Sequence, residues 1–162
     1  MSIQAVRAYF EALGLGARVL EFESSSATVE LAAQAVGCAP SRIAKSLSFA
    51  VDEGCVLVVA AGDARIDNPK FKAFFGVKAK MLAAAQLPAL VGHEVGGVCP
   101  FAILDTAKVY LDVSLQRFDV VYPACGSASS AIGLSCQELS QYAQNVQGWV
   151  DVCKDWQENA QP

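Results

Sequence analysis

Three stretches carry residue types that could do chemistry. The first is Val91-Gly92-His93-Glu94-Val95-Gly96-Gly97-Val98-Cys99-Pro100-Phe101, which is glycine-rich, holds the single histidine of the chain and closes on a proline. Gly96 and Gly97 permit backbone angles and close approaches denied to other residues. Pro100 fixes its own φ and pushes Cys99 toward an extended conformation. Such a loop can hold N–H groups outward, toward a carbonyl oxygen or a phosphate. A tight turn between two buried apolar segments would give the same pattern, and the local sequence leaves both readings open. The second stretch begins at Lys45, which opens the run Ser46-Leu47-Ser48-Phe49-Ala50-Val51. A lysine there either snorkels to solvent or projects into a cleft, where it stabilises an oxyanion or holds a phosphate. The third is Gly126-Ser127-Ala128-Ser129-Ser130. Its hydroxyls either orient a small polar substrate or make a simple turn.

Several chemistries are excluded. One histidine and no Gly-x-Ser-x-Gly elbow leave no hydrolytic triad to assemble. No dinucleotide or P-loop fingerprint is present, because the G-x-G-x-x-G spacing is missing and no Gly-Lys-Ser/Thr follows the glycines. The six cysteines (Cys38, Cys55, Cys99, Cys125, Cys136, Cys153) form no Cys-x-x-Cys pair. They read as reduced, mostly core residues, and no metal and no cofactor is expected. Cys99 stands apart because it lies in the glycine loop, where His93 could approach it. No carboxylate pair resembles that of a glycosidase. An enzyme with this inventory works by positioning and electrostatics, with water or a substrate group as nucleophile.

Composition bounds the rest. With 162 residues, 54% apolar and 17% charged, one domain spanning 1–162 with a well-filled core is expected. No apolar run is long enough for a membrane span, and the N-terminus lacks a signal-peptide pattern, so a cytoplasmic location is expected. The net charge of −4 argues against a protein that grips nucleic acid over its whole surface. Yet seven of the twelve basic residues lie between Arg42 and Lys80, against four acids. Such a face can bind phosphates on an acidic protein, or it can be a solvated lysine-bearing helix.

These stretches need elements to position them. Ser2 can cap a helix striped by Ile3, Val6, Phe10 and Leu13 and ended by Gly14 and Gly16. Residues 18–22 read as a strand, and Thr28 can cap a helix that stops at Gly37. A hairpin of residues 44–51 and 55–61 turns at Asp52-Glu53-Gly54, its second strand apolar throughout and so buried on both faces. Asn68-Pro69 starts a helix, and 78–86 reads as another. Residues 87–91 read as a short helical or extended piece leading into the glycine loop. Strands are expected at 108–112, 119–124, 131–134 and 149–153, a helix capped by Ser135 at 136–144, and a fraying tail from Glu158. This is a mixed α/β pattern with many strands and few long helices.

Four segments, in order and spacing, resemble a known family. They are Ser41-Arg42-Ile43-Ala44-Lys45-Ser46-Leu47, Gly62-Asp63-Ala64-Arg65-Ile66-Asp67, Val95-Gly96-Gly97-Val98-Cys99-Pro100-Phe101 and Ala124-Cys125-Gly126-Ser127-Ala128-Ser129-Ser130-Ala131-Ile132. The sequence resembles the YbaK/ProX aminoacyl-tRNA deacylases, related to the editing domain of bacterial prolyl-tRNA synthetases, from about Val19 to Tyr142. The resemblance implies a single compact domain with a central mixed β-barrel-like sheet and flanking helices. It implies trans-editing hydrolysis of a small amino acid from mischarged tRNA, for example alanine or cysteine on a proline tRNA, with serine or threonine as further substrates. It implies Lys45 as the functional lysine near the terminal adenosine and the ester. Gly96, Gly97, Val98, Cys99 and Pro100 match the loop whose backbone holds the scissile carbonyl, and Gly126 and Ser127 match a loop bordering the pocket. Arg42, Lys70 and Lys72 would then meet phosphates of the tRNA acceptor end, with a synthetase as a further partner, no membrane, and a monomer expected. Ala131 stands where some members have an acidic residue, so that carboxylate's role is absent here. The alternative is a non-catalytic tRNA- or synthetase-binding module using the same pocket. A third is a small-molecule esterase that ignores tRNA.

Overall fold

The sheet grows outward from its most apolar strand. A computed structural model describes residues 2–52 and 54–157. β2 (Ile43–Val51) and β3 (Gly54–Ala61) form the expected antiparallel hairpin, with Ala44 opposite Ala61 and Val51 opposite Gly54. Glu53, in the expected turn, lies outside the described residues, as does the tail from Glu158. Cys55 to Ala61 is buried along its length. Such a strand must be flanked by strands and covered on both faces. β5 (Ala107–Asp112) supplies its other neighbour, in parallel. β6 (Tyr122–Pro123) lies parallel to the start of β2, and β8 (Val146–Val150) parallel to β5. The five strands, in the order β6-β2-β3-β5-β8, curl into a half-barrel.

Two antiparallel ribbons complete the strands: β1 (Val19–Glu21) with β7 (Ser130–Ile132), and β4 (Arg65–Ile66) with β9 (Cys153–Lys154). α1 (Ser2–Ala12) packs its buried Val6 and Phe10 on the core, with the Phe10 ring 4.8 Å edge-on from Phe101. Ser2 Oγ donates to the Gly92 carbonyl, 3.2 Å away, and so ties α1 to the glycine loop. α2 (Val29–Val36) is capped by Thr28, whose side chain accepts from Leu31 N–H, and ends at the left-handed Gly37. α3 (Asn68–Phe75) is capped by Asp67, one residue earlier than the sequence suggests, and buries Phe71 against Phe49 at 4.8 Å. α4 (Leu87–Leu90) and α5 (Cys136–Tyr142) follow, the latter with Ser135 and Glu138 closing a capping box.

Three expectations for elements need correction. Residues 78–86 form no long helix: Met81 bridges Phe49 on the edge of β2, and only a 3₁₀ turn, Ala84–Gln86, precedes α4. Pairing with the sheet edge outweighs the helix propensity of the alanines there. The strand expected over 119–124 shrinks to β6 plus a bridge from Val121 to Leu134. The strand expected at 149–153 is split between β8 and β9, which sit in different sheets. No helix among the described residues is long and apolar enough to cross a membrane.

Candidate active site

A cleft of about 350 Å³ opens beside β2, between α2, the glycine loop and the ribbon of β1 and β7. That volume sits at the small end of ligand pockets. Lys45 lines it from β2, Gly96 and Val98 from the glycine loop, and Ser130 and Ala131 from β7. The wall is mostly apolar, and among the described residues that line it there is no carboxylate and no imidazole.

The Lys45 ammonium donates to the Gly62 carbonyl at 3.3 Å and to the Ala64 carbonyl. An ammonium has three N–H donors, so one remains for a ligand. Burial holds its pKa below the ordinary lysine value, with Asp63 among the groups that oppose the fall. The turn that supplies those carbonyls is itself clamped. Arg117 donates to both carboxylate oxygens of Asp63, at 2.6 and 3.0 Å, and the pair is largely buried, with side-chain exposures of 12% and 16%. The guanidinium is stacked 4.6 Å from the Phe118 ring centre and 5.1 Å from that of Trp156.

The glycine loop is fixed from behind. Gly97 N–H donates to the Glu94 carbonyl at 3.0 Å, and Gly96 has φ +89°. This is a turn that requires a left-handed third residue. A Cβ on Gly97 would lie 2.6 Å from the Gly126 carbonyl carbon, so the two glycine segments meet backbone to backbone. Among the described residues no hydrogen-bond partner is found for the N–H groups of Gly96 and Val98. Gly97, Cys99 and Pro100 form the back of the loop rather than the cleft wall. Gly126 and Ser127 likewise buttress the turn, while Ser130, bonded to Cys125 N–H and the Ser127 carbonyl, reaches the wall.

His93 and Cys99 do approach each other, with Sγ 3.5 Å from Nε2. Both are buried, and His93 Nε2 lies 2.7 Å from the Phe101 carbonyl. Only a protonated Nε2 bonds a carbonyl, so the ring is held as that tautomer. Burial lowers the histidine's pKa and pushes the thiol up to about 12. The pair is a packed buttress under the loop, not an activated nucleophile.

Two of the three cations expected on phosphates are already paired with carboxylates. Arg42 is bonded to Asp119 at 2.7 Å and lies 5.1 Å over Phe118. Lys70 is paired with Asp151 at 3.1 Å. Lys72 is exposed, and none of the ion pairs among the described residues includes it.

Two residues in the wall escaped the sequence reading. The hydroxyls of Ser26 and Ser46 are buried without a partner. Buried hydroxyls normally find one, and among the described residues nothing supplies it to either serine. Ser46 offers more than its side chain. On the β2 edge facing away from β3, Ala44 pairs with Pro123, the Ser48 carbonyl accepts from Leu82 N–H at 3.1 Å and Ala50 N–H donates to the Lys80 carbonyl at 2.9 Å. Backbone groups alternate between edges in an antiparallel ladder. Ser46 therefore presents its N–H and C=O on that same edge, in the gap between β6 and Leu82, and that gap opens on the cleft. A polar residue interrupting an apolar strand, next to Lys45, was the signal available in the sequence.

Comparison with known proteins identifies the family and the fold. Residues 23–142 match the model of the aminoacyl-tRNA editing domain. The chain belongs to that family. It is 52% identical over 158 residues, 97% of this chain and 100% of the relative, to an uncharacterised Bacillus subtilis protein, YwhH. An 89-residue stretch, 54% of this chain, is 30% identical to 15% of a proline–tRNA ligase of Bacillus cytotoxicus. Among solved structures, a protein proposed to be a trans-editing enzyme for prolyl-tRNA synthetase superposes with TM-score 0.83 at 28% identity, covering 94% of this chain and 97% of that one. The hypothetical protein APE2540 superposes with TM-score 0.79 at 29% identity, covering 93% and 99%. The mixed sheet and its flanking helices are the fold of the editing domain.

Proposed function

We propose that this chain is a cytoplasmic trans-editing hydrolase that frees a small amino acid from the 3′ end of a mischarged tRNA. Alanine or cysteine on a proline tRNA is the first expectation. One observation carries the reading: Lys45 and two residues whose N–H groups have no partner among the described residues, Gly96 and Val98, line one small, mostly apolar cleft. Water adds to the ester carbonyl carbon, and the carbonyl oxygen takes the negative charge. The bond from that carbon to the ribose oxygen then breaks. One water proton ends on the ribose hydroxyl and the other leaves to solvent. The loop N–H groups face the developing oxyanion, and the third N–H of Lys45 faces the ester or the terminal nucleotide. Such preorganised donors suffice for an ester already activated toward hydrolysis. Because the described residues of the wall include no carboxylate and no imidazole, the neighbouring ribose hydroxyl of the tRNA orders the water. A small pocket also suits the biological need. A synthetase separates amino acids differing by one methylene by only about 1–3 kcal/mol, and a second sieve for the smaller product restores fidelity.

A described wall without carboxylate or imidazole also suits the second reading, a binding module for tRNA or a synthetase that does no chemistry. Release of amino acid from a defined mischarged tRNA, lost in Lys45→Ala, supports the hydrolase. Stoichiometric binding without release supports the module.

A further inference from the structure

From Asn68 to His93 the chain carries four lysines and no aspartate or glutamate, in a protein of net charge −4. Lys70 is neutralised by Asp151. Lys78 and Lys80 are exposed and take part in none of the ion pairs among the described residues. The segment that holds them is fixed along the end of β2 by the bonds of Lys80 and Leu82, and it enters the cleft at Met81 and Leu82. Lys78 is three residues from Met81, which limits the separation of their Cα atoms to roughly 10 Å. Met81 is 58% exposed and Val95, which also lines the cleft from the glycine loop, is 70% exposed. Unpaired cations leading to a mouth with two bare apolar side chains match a single strand that brings phosphates and a base face.

We propose that residues 76–81 are the track by which the single-stranded 3′ end of the RNA enters the cleft. Lys78 and Lys80 face its phosphates, and Met81 and Val95 grip the terminal base. The inference rests on the tRNA reading above and adds the route to it.

The test is the salt dependence of binding to an RNA minihelix ending in single-stranded ACCA, and to the same minihelix with the overhang removed. Wild type, Lys78→Ala/Lys80→Ala and Lys108→Ala are compared. Lys108 is an exposed lysine on β5 that serves as the control. Single-stranded contacts contribute about 0.7 to the slope of log K against log salt per phosphate neutralised. The double variant should lose about 1.4 from the slope on the ACCA minihelix, and nothing once the overhang is gone. Lys108→Ala should match the wild type on both. An unchanged slope in the double variant, with wild-type deacylation intact, overturns this inference alone and leaves the strip to an acidic protein partner. An equal loss on the blunt minihelix places the lysines on the stem and overturns it too. No RNA binding by the wild type overturns both this inference and the reading beneath it.

Discussion

Gly97 stands against Gly126 so closely that a Cβ on the first would come within 2.6 Å of the carbonyl carbon of the second. The two glycine segments, 29 residues apart in the chain, therefore form one wedge behind the cleft. Gly97→Ala must push the segments apart. Overpacking of this kind costs about 1–3 kcal/mol, and the displaced loop should also lose its aim. We expect a lower urea midpoint and at least a tenfold loss of deacylation. Unaltered activity would mean that the loop's position does not matter to the chemistry.

Ser46→Ala should separate binding from stability. Its hydroxyl has no partner to lose, so the folded protein should be no less stable, since an unsatisfied buried hydroxyl is already a cost. KM should rise several-fold with little change in kcat. A stability loss above about 1 kcal/mol with KM unchanged would show that the hydroxyl serves the fold.

Arg117→Ala removes the cation that holds the Gly62–Ala64 turn under Lys45. Breaking a fully buried pair costs about 3–5 kcal/mol, and partial exposure reduces this to roughly 2–3 kcal/mol. Turnover should fall more than substrate affinity, because the ammonium loses its fixed carbonyls. Arg117→Lys, which cannot bond both carboxylate oxygens at once, should recover only part. Full recovery would show that charge alone matters.

His93 gives the fold an acid limit. Its folded pKa lies below the unfolded value because burial favours the neutral ring. The unfolded chain then binds the extra proton, so the stabilisation is complete above about pH 6.5 and is lost as pH falls through the folded value. Denaturation at pH 7.5 and 5.5 should show this fall, and His93→Gln should flatten it. Asp119 and Glu138, also with lowered pKa values, titrate below that window. A slope unchanged in His93→Gln would assign the effect elsewhere.

Cys99 should behave as core. With its thiol pushed up to about 12 and fully buried, it should resist iodoacetamide at pH 8 in the native protein. Cys99→Ala should keep most of the activity while losing about 1–2 kcal/mol to the small cavity. Loss of all activity in a folded Cys99→Ala protein would contradict the buttress role.

The parts legible in the sequence were those fixed by local chemistry. Thr28 and Ser135 announce their helices because a cap needs an acceptor three residues before a free N–H. The apolar run of β3 announces a buried central strand. Residues 78–86 misled because alanines describe a helix as readily as a strip tied to a sheet edge, and only the long-range bond from Ala50 to Lys80 decides. In the site, Lys45 and Gly96 stood out by residue type. Ser46 did not, because its importance lies in an unpaired edge created by the distance between β6 and Leu82. Likewise nothing near Arg42 in sequence shows that Asp119, 77 residues later, has claimed its charge.

The central claim, that Lys45 and the glycine loop make this cleft a deacylase, is tested most directly by single-turnover deacylation. Wild type and Lys45→Ala would be run in parallel over a panel of aminoacylated tRNAs that includes alanine and cysteine on proline tRNA. The account predicts release from one or two mischarged species, slowed at least 100-fold in the variant, equivalent to about 2.7 kcal/mol of transition-state stabilisation. Wild-type rates in a folded Lys45→Ala protein, or no release from any species by the wild type, would contradict it.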